Sequence, residues 1–182
     1  EISFTSAHEI KAERRILKTK KAIYEALVEL MQKKKLNSIT VTELAAQADI
    51  NRKTFYTYYS TVNDVLDEGI NELITSLKDL LCAMSEDYNM FSPQTLFAFL
   101  NTIMSDADIA RDLFASDNGS LLFNRLQKAL QETLLKELVS RDIKMNVPSE
   151  HYPLISSFVA GGMVSAYYEW ITDPDGITLV EM

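Results

Sequence analysis

Apolar residues recur at spacings of three and four along most of this chain, and the recurrence divides it into helices. From Ile16 they fall at Ile23, Leu27, Leu30 and Met31, one face of a long helix that ends near Lys34. Thr40-Val41-Thr42-Glu43 then spells a capping box, Thr40 as N-cap and Glu43 reaching back, and opens a short helix carrying Leu44, Ala45 and Ala48. Asp49-Ile50 forms a turn, and Asn51 caps a second short helix through Tyr58. Thr61 caps a longer fourth helix, with its stripe at Leu66, Ile70, Leu73, Leu77, Leu80 and Met84. Ser92-Pro93 opens a helix over 94–105, since proline is accepted at the first helical position. Asp106 starts another to about Ala115, and a longer one runs from Ser120 to Arg141 with Phe123, Leu126, Leu130, Leu134 and Leu138 on one face. Val147-Pro148-Ser149 breaks the chain before the last long helix, which ends near Thr172. After the turn Asp173-Pro174-Asp175-Gly176, Ile177–Met182 begins one more helix. The expected fold is all-α, about nine helices in total.

Composition supports this and removes several kinds of chemistry. With five Gly, four Pro and 47% apolar residues in 182, the chain has material for a core and little for β-turns or disorder. The one cysteine, Cys82, excludes an intrachain disulfide and a Cys-rich zinc module. His8 and His151 are the two histidines, and neither has a glutamate three residues before it, as a di-iron helix pair needs. Neither a phosphate loop nor a nucleophile elbow is spelled. No metal, no cofactor and no enzymatic activity are therefore expected. No charged-then-apolar leader is visible, so the expected location is the cytoplasm. Leu154–Trp170 carries only Glu169 as a charge, but its serines and glycines make it a poor membrane span. A helix apolar on all sides needs protein on all sides, and a second copy of the chain is one source of it.

Charge is distributed unevenly. Residues 1–60 hold eleven of the eighteen basic residues and seven of the twenty-six acids, so a basic end adjoins an acidic body in a chain of net charge −8. The basic end contains two short helices joined by a tight turn and preceded by a long one, a helix-turn-helix arrangement. Its second short helix begins Arg52-Lys53-Thr54. Arg and Lys at that end suit the guanine edge in the major groove, and Tyr and Thr hydroxyls suit phosphate oxygens. Phe55 is expected to point inward.

Thr40–Val65, reading TVTELAAQADINRKTFYTYYSTVNDV, resembles the DNA-binding domain of TetR-family transcriptional regulators along the short helix, the turn, the Thr54-Phe55-Tyr56 core and the aromatic Tyr59. The order of helices in the whole chain is also similar to that family's plan. The body, with Gly161-Gly162 and Trp170, is similar to the branch containing regulators of dihydroxyacetone kinase operons. Three positions depart from the pattern: Asp49 stands where the turn usually has Gly, Lys53 replaces a Gly, and Val62 replaces a phosphate-contacting Lys.

The resemblance implies a helix-turn-helix domain over 1–60 and a helical ligand-binding and dimerisation domain over 61–182. It places Thr42 on phosphate, Arg52, Lys53 and Thr54 at bases, and Tyr56 and Tyr58 on the DNA backbone. It implies a pocket for a small apolar or aromatic effector, for which Phe97, Met104, Phe123, Phe158, Met163, Tyr167 and Trp170 are the candidates. It implies a homodimer through the last helices, where Ala160, Gly161, Gly162 and Ser165 allow close approach. The function so implied is a repressor on a double-stranded DNA operator, released by its effector. The alternative is a co-regulator that binds another protein and does not bind DNA on its own.

Overall fold

The computed structural model describes residues 7–84, 107–140 and 147–173. Among these residues there are seven α-helices, two short 3-10 turns and no strand. The helices are α1 (Ala7–Met31), α2 (Val41–Gln47), α3 (Arg52–Tyr58), α4 (Val62–Met84), α5 (Ala107–Ala115), α6 (Gly119–Ser140) and α7 (Tyr152–Thr172). The fold is thus all-α; the helices expected over 94–105 and 177–182 lie outside the described residues. The chain divides into two compact units, one ending at Leu66 and the other beginning at Asp67.

In the first unit α1 buries Ile23, Ala26, Leu27, Leu30 and Met31, a stripe at three- and four-residue spacing. The helix starts well before the apolar stripe does. Lys11–Lys18 are exposed throughout, Ile16 and Leu17 included. That stretch is built from Ala, Glu, Lys, Arg, Ile and Leu, mostly strong helix formers, so propensity carries a segment that hydrophobic periodicity does not detect.

Each later element of this unit begins on a local cap. The Thr40 hydroxyl accepts from the Glu43 N–H at 3.2 Å and opens α2, which turns Leu44 and Ala45 into the core. The Glu43 carboxylate receives the Lys34 ammonium and the Thr40 N–H, and the Lys34 contact chiefly holds it below its ordinary pKa. Asn51 Oδ1 accepts from the Lys53 N–H at 2.6 Å and opens α3. Thr61 and Asp64 cap α4 reciprocally: the Thr61 hydroxyl accepts from the Asp64 N–H at 3.2 Å, while Asp64 Oδ2 accepts from the Ser60 and Thr61 N–H groups at 2.9 and 2.8 Å.

In the second unit α6 and α7 pack along each other, and α5 packs on both. Leu122, Leu126, Leu130, Leu134 and Leu138 form one buried row on α6, and Ser156, Ala160 and Val164 a buried row of smaller residues on α7. A leucine ridge and a shallow groove are the surfaces that ridge-into-groove packing joins. The Ser156 hydroxyl is satisfied by Pro153 O at 3.0 Å in the first turn of α7. Arg125 ties α6 to Asp67 on α4 at 2.7 Å. On α4, Ile74 is buried in addition to Leu66 of the expected stripe, while Ile70 and Leu73 are half-buried.

Candidate nucleic-acid interface

The turn between α2 and α3 determines how α3 is presented. Asp49 takes φ 52°, the left-handed region, and is the one non-glycine residue with positive φ among those described. Aspartate tolerates that region better than most side chains. The departure from glycine at this position therefore keeps the turn. The Ile50 N–H returns to Ala45 O at 2.9 Å and closes it.

Phe55 anchors α3. Its ring is fully buried, which stabilises the unit by about 1.5–3 kcal/mol, and it lies 5.7 Å from the ring of Tyr59, also buried. Lys20 on α1 places its ammonium 5.5 Å from the centre of the Tyr59 ring, a cation–π contact that fixes α1 against the end of α3. With Phe55 inside, Arg52, Lys53 and Tyr56 are left outside. Tyr56 is 52% exposed and meets the edge of Phe55 at 5.7 Å between ring centres. Thr54 and Tyr58 are half-buried at the margins of this face, and Thr42 is exposed on the first turn of α2. All six residues expected at DNA belong to this one unit, on the two short helices, and four-residue spacing puts Arg52 and Tyr56 in one row.

The residues expected around an effector divide differently. Phe97 and Met104 lie outside the described residues. Met163 and Tyr167 are buried, and Phe123 and Trp170 half-buried. Phe158 does not join them: it is 79% exposed, because position 158 lies roughly 140–180° around α7 from 163 and 167. Phe114 and Tyr168, which the sequence reading missed, connect the others. Phe114 meets Tyr167 and Tyr168 edge-on at 5.5 and 5.9 Å, Phe123 meets Tyr168 at 5.8 Å, and Tyr167 lies 6.2 Å from Trp170. The adjacent pair Tyr167-Tyr168 was the available signal, since neighbours on a helix point about 100° apart and extend one cluster in two directions. Burial pushes the Tyr167 hydroxyl well above the usual phenol range, so it stays neutral at any physiological pH.

The four small residues expected at a dimer interface also separate. Ala160 is fully buried in the chain's own core, on one row with Ser156 and Val164. Gly161 is half-buried, and a Cβ there would stand 3.4 Å from Gln127 Nε2 on α6. Gly162 and Ser165 are exposed, and a Cβ on Gly162 would meet nothing within 4 Å. Leu154 and Phe158, 70% and 79% exposed, share their side of α7.

Along the chain, a unit with two short helices joined by a tight turn precedes a unit that is helical throughout its described residues. Residues 92–182 match the family model described as the transcriptional regulator C-terminal region of the TetR group, and the chain belongs to the TetR family of transcriptional regulators. Comparison with curated proteins finds no match. Among solved structures the chain is similar to a TetR transcriptional regulator from Streptococcus agalactiae 2603V, at 23% identity and TM-score 0.60, covering 94% of this chain and 92% of that one. It is also similar to the dihydroxyacetone kinase operon activator DhaS, at 21% identity and TM-score 0.50 over 85% and 84% of the two chains. The repressor AlkX from Dietzia sp. strain DQ12-45-1b follows at 14% identity and TM-score 0.50, over 85% and 87%. Likeness at these identities is likeness of fold. No helix among the described residues is long and apolar enough to cross a membrane.

Proposed function

We propose that this regulator is a homodimeric, sequence-specific DNA-binding repressor released by a small apolar or aromatic effector. The observation that carries the reading is the outer face of α3, where Arg52, Lys53 and Tyr56 stand exposed around the buried Phe55. Arg52 and Lys53, with Thr54 beside them, read base edges; Tyr56, Tyr58 and Thr42 bond to phosphates. The dimer forms on the outward side of α7 through Leu154, Phe158, Gly162 and Ser165, and two-fold symmetry sets two recognition helices on successive turns of one duplex. The effector binds beside the aromatic cluster of Phe123, Tyr167 and Trp170, where flat apolar surface suits a ring or chain.

Selection of bound fragments from a library of the source genome, followed by footprinting, tests the reading. A protected pseudo-palindrome is the expected result, and absence of any sequence preference overturns it. The similarity to a protein named as an activator supports a second reading, a regulator that recruits a partner. Sequence preference that appears only when a second protein is added decides for that alternative.

A further inference from the structure

The stretch Lys11–Lys18 of α1 has no packing role in the unit it belongs to. From Lys11 to Lys18 every residue is exposed, and burial on α1 sets in only at Thr19 and Lys20 and becomes complete at Ile23. The eight residues from Lys11 to Lys18 make a helical stretch about 12 Å long that projects from the head. Its cations are arranged. Lys11, Arg14, Arg15 and Lys18 follow the spacing i, i+3, i+4, i+7, which puts all four within roughly 100° of arc. Glu13, the one acid between Lys11 and Lys18, lies on the far side of that arc. Both four-residue pairs within the stripe, Lys11 with Arg15 and Arg14 with Lys18, are like-charged, which works against the isolated helix. An anionic surface offsets that repulsion.

The stripe also has a definite place. Lys20, two residues after it, sits over Tyr59, the residue that ends α3. The projecting helix therefore leaves the head beside the C-terminal end of the recognition helix. We infer that Lys11, Arg14, Arg15 and Lys18 form a phosphate-tracking arm that grips duplex DNA outside the base pairs read by α3. The inference rests on the DNA-binding reading above. From Lys11 to Lys18 the stripe spans about 10 Å, a length over which a duplex presents about six phosphates. A lipid surface is the poorer match, because between Lys11 and Lys18 only Ile16 and Leu17 are large and apolar, too little area to insert.

The test uses the full chain and a fluorescent duplex of about 40 base pairs of mixed sequence, with affinity measured by anisotropy across a salt series. The variant Arg14→Ala/Arg15→Ala is compared with Lys128→Ala/Lys136→Ala, which removes the same charge from exposed positions of α6. Alanine favours helix, so circular dichroism should show no loss of fold in either. The arm variant is expected to lower affinity about tenfold or more at 0.1 M salt and to flatten the log–log salt slope by about two per protomer. The α6 variant should leave the slope unchanged. Equal slopes for the arm variant and the intact chain overturn the inference while leaving the DNA-binding reading in place. No binding of the duplex by the intact chain overturns both. Arg14- and Arg15-dependent binding to vesicles of phosphatidylcholine and phosphatidylglycerol, with an unchanged duplex slope, reassigns the arm to membranes and also overturns it.

Discussion

Gly119, the first residue of α6, approaches the carbonyl of Phe114 so closely that a Cβ at position 119 would overlap the oxygen. The neighbour is backbone and cannot swing aside, so Gly119→Ala must shift the α5–α6 connection. The expected cost is about 2–3 kcal/mol in urea unfolding of the chain. Gly162 is the internal control. It lies mid-helix with open space about it, so Gly162→Ala should be neutral or stabilising by up to about 1 kcal/mol. Similar losses for the two variants would show that close approach does not explain the glycine at 119.

At Asp49 the backbone is in the left-handed region while the side chain is not glycine. Asp49→Gly should therefore gain up to about 1 kcal/mol, and Asp49→Val should lose about 1–2 kcal/mol, because a β-branched residue resists positive φ. The readout is the thermal midpoint. A valine variant as stable as the parent would mean that the turn takes another conformation.

What the sequence makes legible follows the range of the interaction. The caps at Thr40, Asn51 and Thr61 and the turn at Asp49 are legible because each depends on residues within about five places along the chain. The sides of α7 were not. Apolar residues surround that helix, so periodicity gives no direction, and only packing on α6 decides that Ala160 turns in and Phe158 out. Leu122 was missed beside Phe123 on α6 for a related reason: both are apolar neighbours, and the buried row follows four-residue steps through Leu126 and Leu130. On α1 the stripe expected from Ile16 begins instead at Ile23, because Ile16 lies in the exposed Lys11–Lys18 stretch, where nothing packs against it.

The cap on α4 gives a pH dependence with a definite sign. Hydrogen bonds from the Thr61 side chain, then from the Thr61 and Ser60 N–H groups, hold the Asp64 carboxyl below its ordinary pKa. A pKa lowered by folding contributes stability that is full above the unfolded value, about 4, and is lost as pH falls through the folded one. The thermal midpoint should thus drop between about pH 5 and pH 2, and Asp64→Asn should remove part of that drop. An Asp64→Asn variant with an unaltered acid profile would assign the loss to other carboxylates, Glu43 among them.

On the reading face, Arg52→Ala and Lys53→Ala should each cost about 1–3 kcal/mol of operator affinity and relax preference at a single base pair. Tyr56→Phe should weaken all sequences alike, since it removes a phosphate bond and leaves the edge contact with Phe55. Competition among single-base operator variants separates the two patterns. Unchanged affinity in the Arg52→Ala/Lys53→Ala double variant removes α3 from base readout.

The outward side of α7 makes the strongest demand on assembly. Leu154, Phe158, Gly162 and Ser165 repeat every three or four residues, so one side of the helix shows two large apolar side chains next to two small ones. Leaving Phe158 in water forgoes about 1.5–3 kcal/mol that burial would recover, and a two-fold partner can bury it in each protomer. Phe158→Glu puts a charge at the centre of such a contact and should raise the dimer dissociation constant about thirtyfold or more, equivalent to about 2 kcal/mol. Gly162→Leu should act through the other route, by filling the space into which the opposite backbone comes. Neither position packs inside the protomer, so urea unfolding of the monomer should move by no more than about 0.5 kcal/mol for Phe158→Glu. Sedimentation velocity at micromolar concentration reads the result, with Lys128→Glu on α6 as the matched surface control. An intact chain that sediments as a monomer, or a Phe158→Glu variant that dimerises as the parent does, would take the dimer away from this side of α7.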